Sequence, residues 1–113
     1  VATSTPHERA RRSLTIAGIS TRIEHLVGGD QVDNGKPAPD IYLAAAKVIA
    51  MSPHRCVAIE DSKVDVEAAA AAQMYTIMVP DLKPPDPRTH ELVSEVLPSM
   101  VAAMARVLDL LGR

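Results

Sequence analysis

Six residues of this 113-residue chain have types and spacings that could handle a phosphate group: Thr3, Ser4, Lys36, Glu60, Asp61 and Asp65. Glu60 and Asp61 directly follow the apolar run Cys56-Val57-Ala58-Ile59, and Asp65 stands one helical turn further on. Carboxylates crowded this closely repel unless a cation or a raised pKa relieves them. Carboxylate oxygen suits Mg²⁺, which keeps waters and substrate phosphates as its other ligands. Lys36 offers a point charge to a phosphoryl group, and the Thr3 and Ser4 hydroxyls and backbone N–H groups offer donors. Each element also has a second local reading. Thr3 or Ser4 could cap a helix, Lys36 could be a solvated loop lysine, and the carboxylates could be charges favoured at a helix N-terminus.

The elements that must position these residues follow from periodicity. Val1-Ala2 reads as the tail of a strand, and Pro6 opens a helix marked by Ala10, Leu14 and Ala17 and stopped at Gly18. Leu26-Val27 is a second short strand, and residues 30–39 form a loop that holds Lys36. Ile41, Ala44, Ala45 and Val48 mark a helix over about 39–50. Cys56-Val57-Ala58-Ile59 is a continuous apolar run, as expected of a strand covered on both faces. Ser62 and Asp65 form a capping-box pattern, with helix continuing through the alanines at 68–72. Thr76-Ile77-Met78-Val79 is another strand, 80–87 a proline-rich loop, and 93–97 a weak strand. Pro98 opens a last helix with Met100, Met104, Val107, Leu108 and Leu111 on its inner face. Strands alternating with helices predict an α/β fold, a parallel sheet with helices on both faces. Such sheets bear their sites beyond the carboxyl ends of the strands, where Thr3, Ser4, Glu60 and Asp61 fall.

Composition narrows the classes. Twelve Lys and Arg against 14 Asp and Glu leave a net charge of −2, which argues against a nucleic-acid or anionic-membrane surface. No apolar run approaches the roughly 18 residues that span a bilayer. The single cysteine, Cys56, forbids an internal disulfide and points to a reducing, cytoplasmic compartment. Cys56 reads as an inert core thiol, and His7, His25, His54 and His90 as surface residues without metal-ligand spacing. The length fits one domain over 1–113, and a start at Val1 instead of Met fits a piece of something longer.

Three blocks carry a resemblance. Gly35-Lys36-Pro37-Ala38-Pro39-Asp40-Ile41-Tyr42, then Ala58-Ile59-Glu60-Asp61-Ser62, then Ala68-Ala69 with Gln73-Met74 resemble the haloacid dehalogenase superfamily. The nearest groups are the β-phosphoglucomutase-like and phosphoglycolate-phosphatase-like hydrolases, and Val1-Ala2-Thr3-Ser4 is similar to that family's second motif. The resemblance implies the C-terminal part of a Rossmann-like core. Thr3 and the Ser4 N–H would bind the transferring phosphoryl group, Lys36 would neutralise it, and Glu60 and Asp61 would hold Mg²⁺. Asp65 stands where the family often has Gly and becomes a candidate outer metal ligand. Gln73 replaces the usual Gly at a helix end, so a different termination is expected there.

The family's first motif, Asp-x-Asp-Gly-Thr or Asp-x-Asp-Gly-Val, is missing from these 113 residues, and so is the cap domain inserted after it. Its first Asp is the family's nucleophile, and its strand lies mid-sheet between the strands ending at Thr3 and Glu60. The implied partners are a small phosphorylated metabolite and an N-terminal segment or another chain that completes the sheet. The implied activity is Mg²⁺-dependent hydrolysis of small phosphate monoesters, sugar phosphates among them, through an aspartyl-phosphate, with this chain inactive alone. A phosphomutase and a catalytically silent interaction module are the alternatives. An unrelated small α/β binding domain with chance matches is a third.

Overall fold

A computed structural model describes residues 1–112 of the chain. Strands β1 (Val57–Glu60), β2 (Tyr75–Met78) and β3 (Glu95–Val96) form one parallel sheet in the order β1-β2-β3. Val57 faces Tyr75, Glu60 faces Met78, and Ile77 faces Glu95. Parallel neighbours need crossovers, and helices α3 (Lys63–Ala71) and α4 (Pro87–Leu92) lie in the two connections. Helices α1 (His7–Ile16), α2 (Asp40–Val48) and α5 (Met100–Leu111) complete the α/β arrangement. The core gathers Val27, Ile41, Tyr42, Ala58, Ala68 and Ala69. Its small alanines let α2 and α3 approach each other and the sheet closely.

A second strand pair stands apart from this sheet. Ala2 and Val27 form an isolated parallel bridge, closed by Thr3 N–H to Val27 O at 3.0 Å and Val27 N–H to Val1 O at 2.9 Å. The segment after it lies on the two glycines. A Cβ at Gly29 would stand 2.1 Å from the Ser4 carbonyl oxygen, and one at Gly28 2.4 Å from the His7 nitrogen. Only glycine permits backbone to rest on backbone there. Asp30 Oδ1 then accepts from the His7 N–H at 2.7 Å and supplies α1 with its N-terminal acceptor. Pro6 is the N-cap residue and makes no side-chain cap bond, so neither Thr3 nor Ser4 caps the helix.

Several expectations shift. The apolar run beginning at Cys56 forms a strand at one edge of the sheet, with Val57 and Ile59 half-buried instead of covered on both faces. The strand expected over 93–97 shortens to Glu95–Val96. Residues 87–92 form an unforeseen helix; Asp86 caps it by accepting from the Thr89 N–H at 2.7 Å, with Pro87 behind the cap. The last helix begins after Ser99, whose Oγ accepts from the Ala102 N–H, and not at Pro98.

The face of α5 is also corrected. Met104 and Leu108 are 65 % and 64 % exposed, Met100 and Leu111 are exposed with them, and the buried residue is Ala103. Polar contacts set this orientation. Arg106 Nε donates to Glu95 Oε2 at 2.7 Å, and Tyr75 Oη donates to the same oxygen at 2.5 Å. That clamp turns the Ala103 and Arg106 side of the helix onto the sheet.

The different termination expected at Gln73 is not found: helix α3 ends in the left-handed turn that a glycine usually supplies. Gln73 itself adopts φ of 65°, Met74 N–H reaches Ala69 O at 3.2 Å, and Gln73 N–H reaches Ala70 O at 2.9 Å. A side chain in this left-handed region costs about 1 kcal/mol relative to glycine. Gln73→Gly is therefore expected to raise the thermal midpoint by about 5 °C. A lowered midpoint in a melting experiment would show that the Gln73 side chain contributes more than its backbone strain costs.

Candidate phosphate and metal site

The carboxylates stand at the carboxyl end of β1. Glu60 is the last strand residue, Asp61 follows it, and Asp65 lies in the first turn of α3. One oxygen from each of the three lies within 4.8 Å of the others. The turn that brings Asp65 back is fixed by Ser62, whose Oγ accepts from the Asp65 N–H at 3.4 Å. The capping box closes differently from the expected form: Ser62 Oγ–H donates to Asp65 Oδ2 at 2.5 Å, side chain to side chain.

Lys36 reaches this cluster across 29 residues of sequence. Its Nζ donates to Asp65 Oδ1 at 2.5 Å, with the two side chains 10 % and 17 % exposed. The Lys36 loop is tied to the start of α2 through Asp40, whose Oδ2 accepts from the Asn34 N–H and from its side-chain amide. So Lys36 is not a solvated loop lysine. Both oxygens of Asp65 are occupied, one by Lys36 and one by Ser62. Lys36 and Ser62 compete for Asp65, whose oxygens keep further lone pairs, so Glu60 and Asp61 are the readier ligands for a cation and Asp65 a third. An all-carboxylate oxygen set beside exposed Asp61 fits a hard divalent cation with water ligands.

Tyr42 is a site residue that the sequence reading missed. Its Oη donates to Glu60 Oε1 at 2.6 Å, and Lys36 Nζ lies 5.3 Å from its ring centroid. The available signal was its place six residues after Lys36, in the first turn of the helix that the lysine loop feeds. The helical pattern had marked that stretch as core, and Tyr42 is indeed buried there.

Burial raises the Glu60 carboxyl above its ordinary value, and the Tyr42 hydrogen bond offsets part of that rise. Burial also pushes Asp65 upward, but hydrogen bonds from Lys36 and Ser62 outweigh it, and its pKa lies below the ordinary value. Tyr42 is held well above the usual phenol range by burial and by the Glu60 carboxylate.

Thr3 and Ser4 do not join this cluster by contact. Thr3 Oγ1 accepts from the Thr5 N–H at 3.2 Å, and Ser4 is exposed, with its carbonyl against Gly29. No hydrogen bond among the described residues links either to Lys36 or the carboxylates. A cleft of about 270 Å³ separates the two halves, with Val1, Ala2 and Val27 on one wall and Val57, Ile59 and Glu60 on the other. Cys56 and His25 also border it, so Cys56 is half-buried at a cleft wall instead of within the core. Among the described residues, no helix is long and apolar enough to cross a membrane.

Comparison with known proteins gives concordant matches. A family model described as haloacid dehalogenase-like hydrolase covers residues 1–73. The phosphorylated carbohydrates phosphatase of Thermotoga maritima is 43% identical over 77 residues, 68% of this chain and 36% of that protein. Hexitol phosphatase B of Escherichia coli K12 is 30% identical over 112 residues, 99% of this chain and 50% of that protein. The crystal structure of a HAD family hydrolase from Deinococcus radiodurans R1, with bound phosphate and sodium, superimposes with a TM-score of 0.78 at 28% identity. That match covers 94% of this chain and 49% of the other. The chain thus spans half or less of the length of each of these three proteins.

Proposed function

Because the chain belongs to the haloacid dehalogenase-like hydrolases, we propose that it is the C-terminal part of a Mg²⁺-dependent phosphohydrolase acting on small phosphate monoesters. Sugar and hexitol phosphates are the substrate class its relatives' names suggest. The observation that carries the proposal is Lys36 Nζ held beside the Glu60, Asp61 and Asp65 carboxylates at the end of β1. A phosphate-neutralising cation and a cation-binding carboxylate set stand within one hydrogen bond of each other.

In this reading Glu60 and Asp61 hold Mg²⁺, which when bound offsets the charge of the phosphoryl oxygens and the nucleophile. Lys36 places a second positive charge on the same phosphoryl group, and Asp65 with Ser62 holds that lysine in place. The Thr3 hydroxyl and the Ser4 N–H bind phosphoryl oxygens from the segment that follows the Ala2–Val27 bridge. The nucleophilic aspartate, which would form the aspartyl-phosphate, lies on a strand outside these 113 residues that seats in the cleft. Covalent catalysis divides the transfer into two easier steps.

The test uses the full native protein and a panel of hexitol, hexose and triose phosphates. Phosphate release is expected with Mg²⁺, to vanish in EDTA, and to return when Mg²⁺ is restored. Release that persists undiminished in EDTA, or none from any ester, would sink the proposal. Transfer of phosphate within a hexose phosphate, in place of release, would favour the mutase.

A further inference from the structure

We propose that Tyr42 is the positioning residue of this site, with its hydroxyl setting Glu60 for the cation and its ring setting Lys36 for the phosphoryl group. The inference rests on the metal and phosphate reading above. Tyr42 is 3 % exposed in the first turn of α2, so its ring has one available orientation. Its Oη donates to Glu60 Oε1 at 2.6 Å. Lys36 Nζ stands 5.3 Å from the ring centroid while its proton goes to Asp65. One buried side chain thus touches the site's two oppositely charged groups, adding the phenol bond at Glu60 and a ring face at Lys36 to the hold that Asp65 has on the lysine.

The hydroxyl also selects a mode of ligation. The phenol proton on Oε1 competes with a cation for that oxygen, so Glu60 offers Oε2 first and two-oxygen ligation is disfavoured. Single-oxygen ligation suits a small cation with short, octahedral bonds, whereas Ca²⁺ gains from carboxylates that bind through both oxygens. Tyr42 therefore favours Mg²⁺-sized ions over Ca²⁺. The ring gives the lysine ammonium a cation–π surface and limits its sweep toward bulk water.

The experiment measures Mn²⁺ binding to the full native protein by loss of the free-ion paramagnetic resonance signal, with Ca²⁺ as competitor. Inorganic phosphate binding and the thermal midpoint in EDTA are measured alongside. Tyr42→Phe keeps the ring and removes only the hydroxyl. It is expected to weaken Mn²⁺ about tenfold, the usual size for losing a group that orients a metal ligand, and to weaken Ca²⁺ much less. Tyr42→Leu removes the ring too and is expected to weaken inorganic phosphate further than Tyr42→Phe does. Wild-type Mn²⁺ affinity in Tyr42→Phe, with binding abolished in Glu60→Gln, overturns the proposal and leaves the site reading standing. Equal loss of Mn²⁺ and Ca²⁺ affinity together with a lowered midpoint also overturns it, because Tyr42 is then only structural. Absence of Mn²⁺ binding in the unsubstituted protein overturns both.

Discussion

Lys36→Met is expected to cut phosphate-ester turnover by the full protein about a thousandfold and, in the same variant, to tighten Mg²⁺ binding. The first effect follows from removing a preorganised charge aimed at the phosphoryl oxygens, where single groups are worth roughly 10²–10⁵ in rate. The second has the opposite sign and comes from the same geometry. Lys36 is bonded to Asp65 among three clustered carboxylates, so its loss takes the cluster from a net charge of −2 to −3. Both partners are largely buried, and breaking such a pair leaves Asp65 uncompensated, at a cost of about 3 kcal/mol. A divalent cation relieves that repulsion. Added Mg²⁺ should then raise the thermal midpoint more in the variant than in the native protein. Met keeps a long apolar side chain at this position, which keeps lost packing small. Steady-state kinetics and a Mg²⁺ titration of both proteins check it. A solvated loop lysine would change neither quantity by more than about twofold, well within the spread of surface substitutions.

The carboxylate cluster and its lysine were legible because local rules place them. A buried strand must end somewhere, and polar residues at its carboxyl end meet the N-terminus of the next helix whatever the details. The loop with Asp33, Gly35, Pro37 and Pro39 delivers Lys36 to the same edge for similar reasons. The contacts themselves were less legible. The resemblance implies Asp65 as an outer metal ligand, but only the folded chain shows that its oxygens also accept from Lys36 and Ser62. Tyr42 went unassigned because a helical pattern does not tell a buried aromatic from a buried hydrogen-bond donor. The end of α3 shows a substitution rule failing: without glycine, Gln73 still adopts the left-handed turn, because Met74 and the alanines around it hold the termination in place. Helix α5 misled most. Its apolar stripe obeys the helical period, yet Arg106, Glu95 and Tyr75 decide which side meets the sheet. Periodicity finds a face and does not say what covers it.

The two walls of the cleft carry the other large expected effect: in the native protein, the Val57 and Ile59 amides should exchange with solvent as slowly as those of Ala58 and Glu60. In a parallel ladder, successive residues point their N–H and C=O groups to alternate sides. Cys56 O and Glu60 O accept from Tyr75 and Val79, so the even-numbered residues of β1 face β2. Val57 and Ile59 consequently turn their N–H groups toward the cleft. The opposite wall has the same polarity. Val1 O and Thr3 N–H are spent on Val27, which leaves the Ala2 N–H and C=O directed away from it. If one extended segment seats in the cleft and pairs with both walls, the penalty of unsatisfied backbone groups is removed at two edges. If the proposed strand is there, protection is uniform along β1. If the cleft is empty, protection alternates, with Val57 and Ile59 exchanging at least a thousandfold faster than Ala58, a difference of about 4 kcal/mol in opening free energy. Residue-resolved hydrogen exchange on the protein isolated from its native cell distinguishes the two patterns, with Ala58 and Glu60 as internal controls. The alternating pattern would remove the seat proposed for the nucleophile and, with it, the route by which Lys36 and the carboxylates act on a phosphate ester.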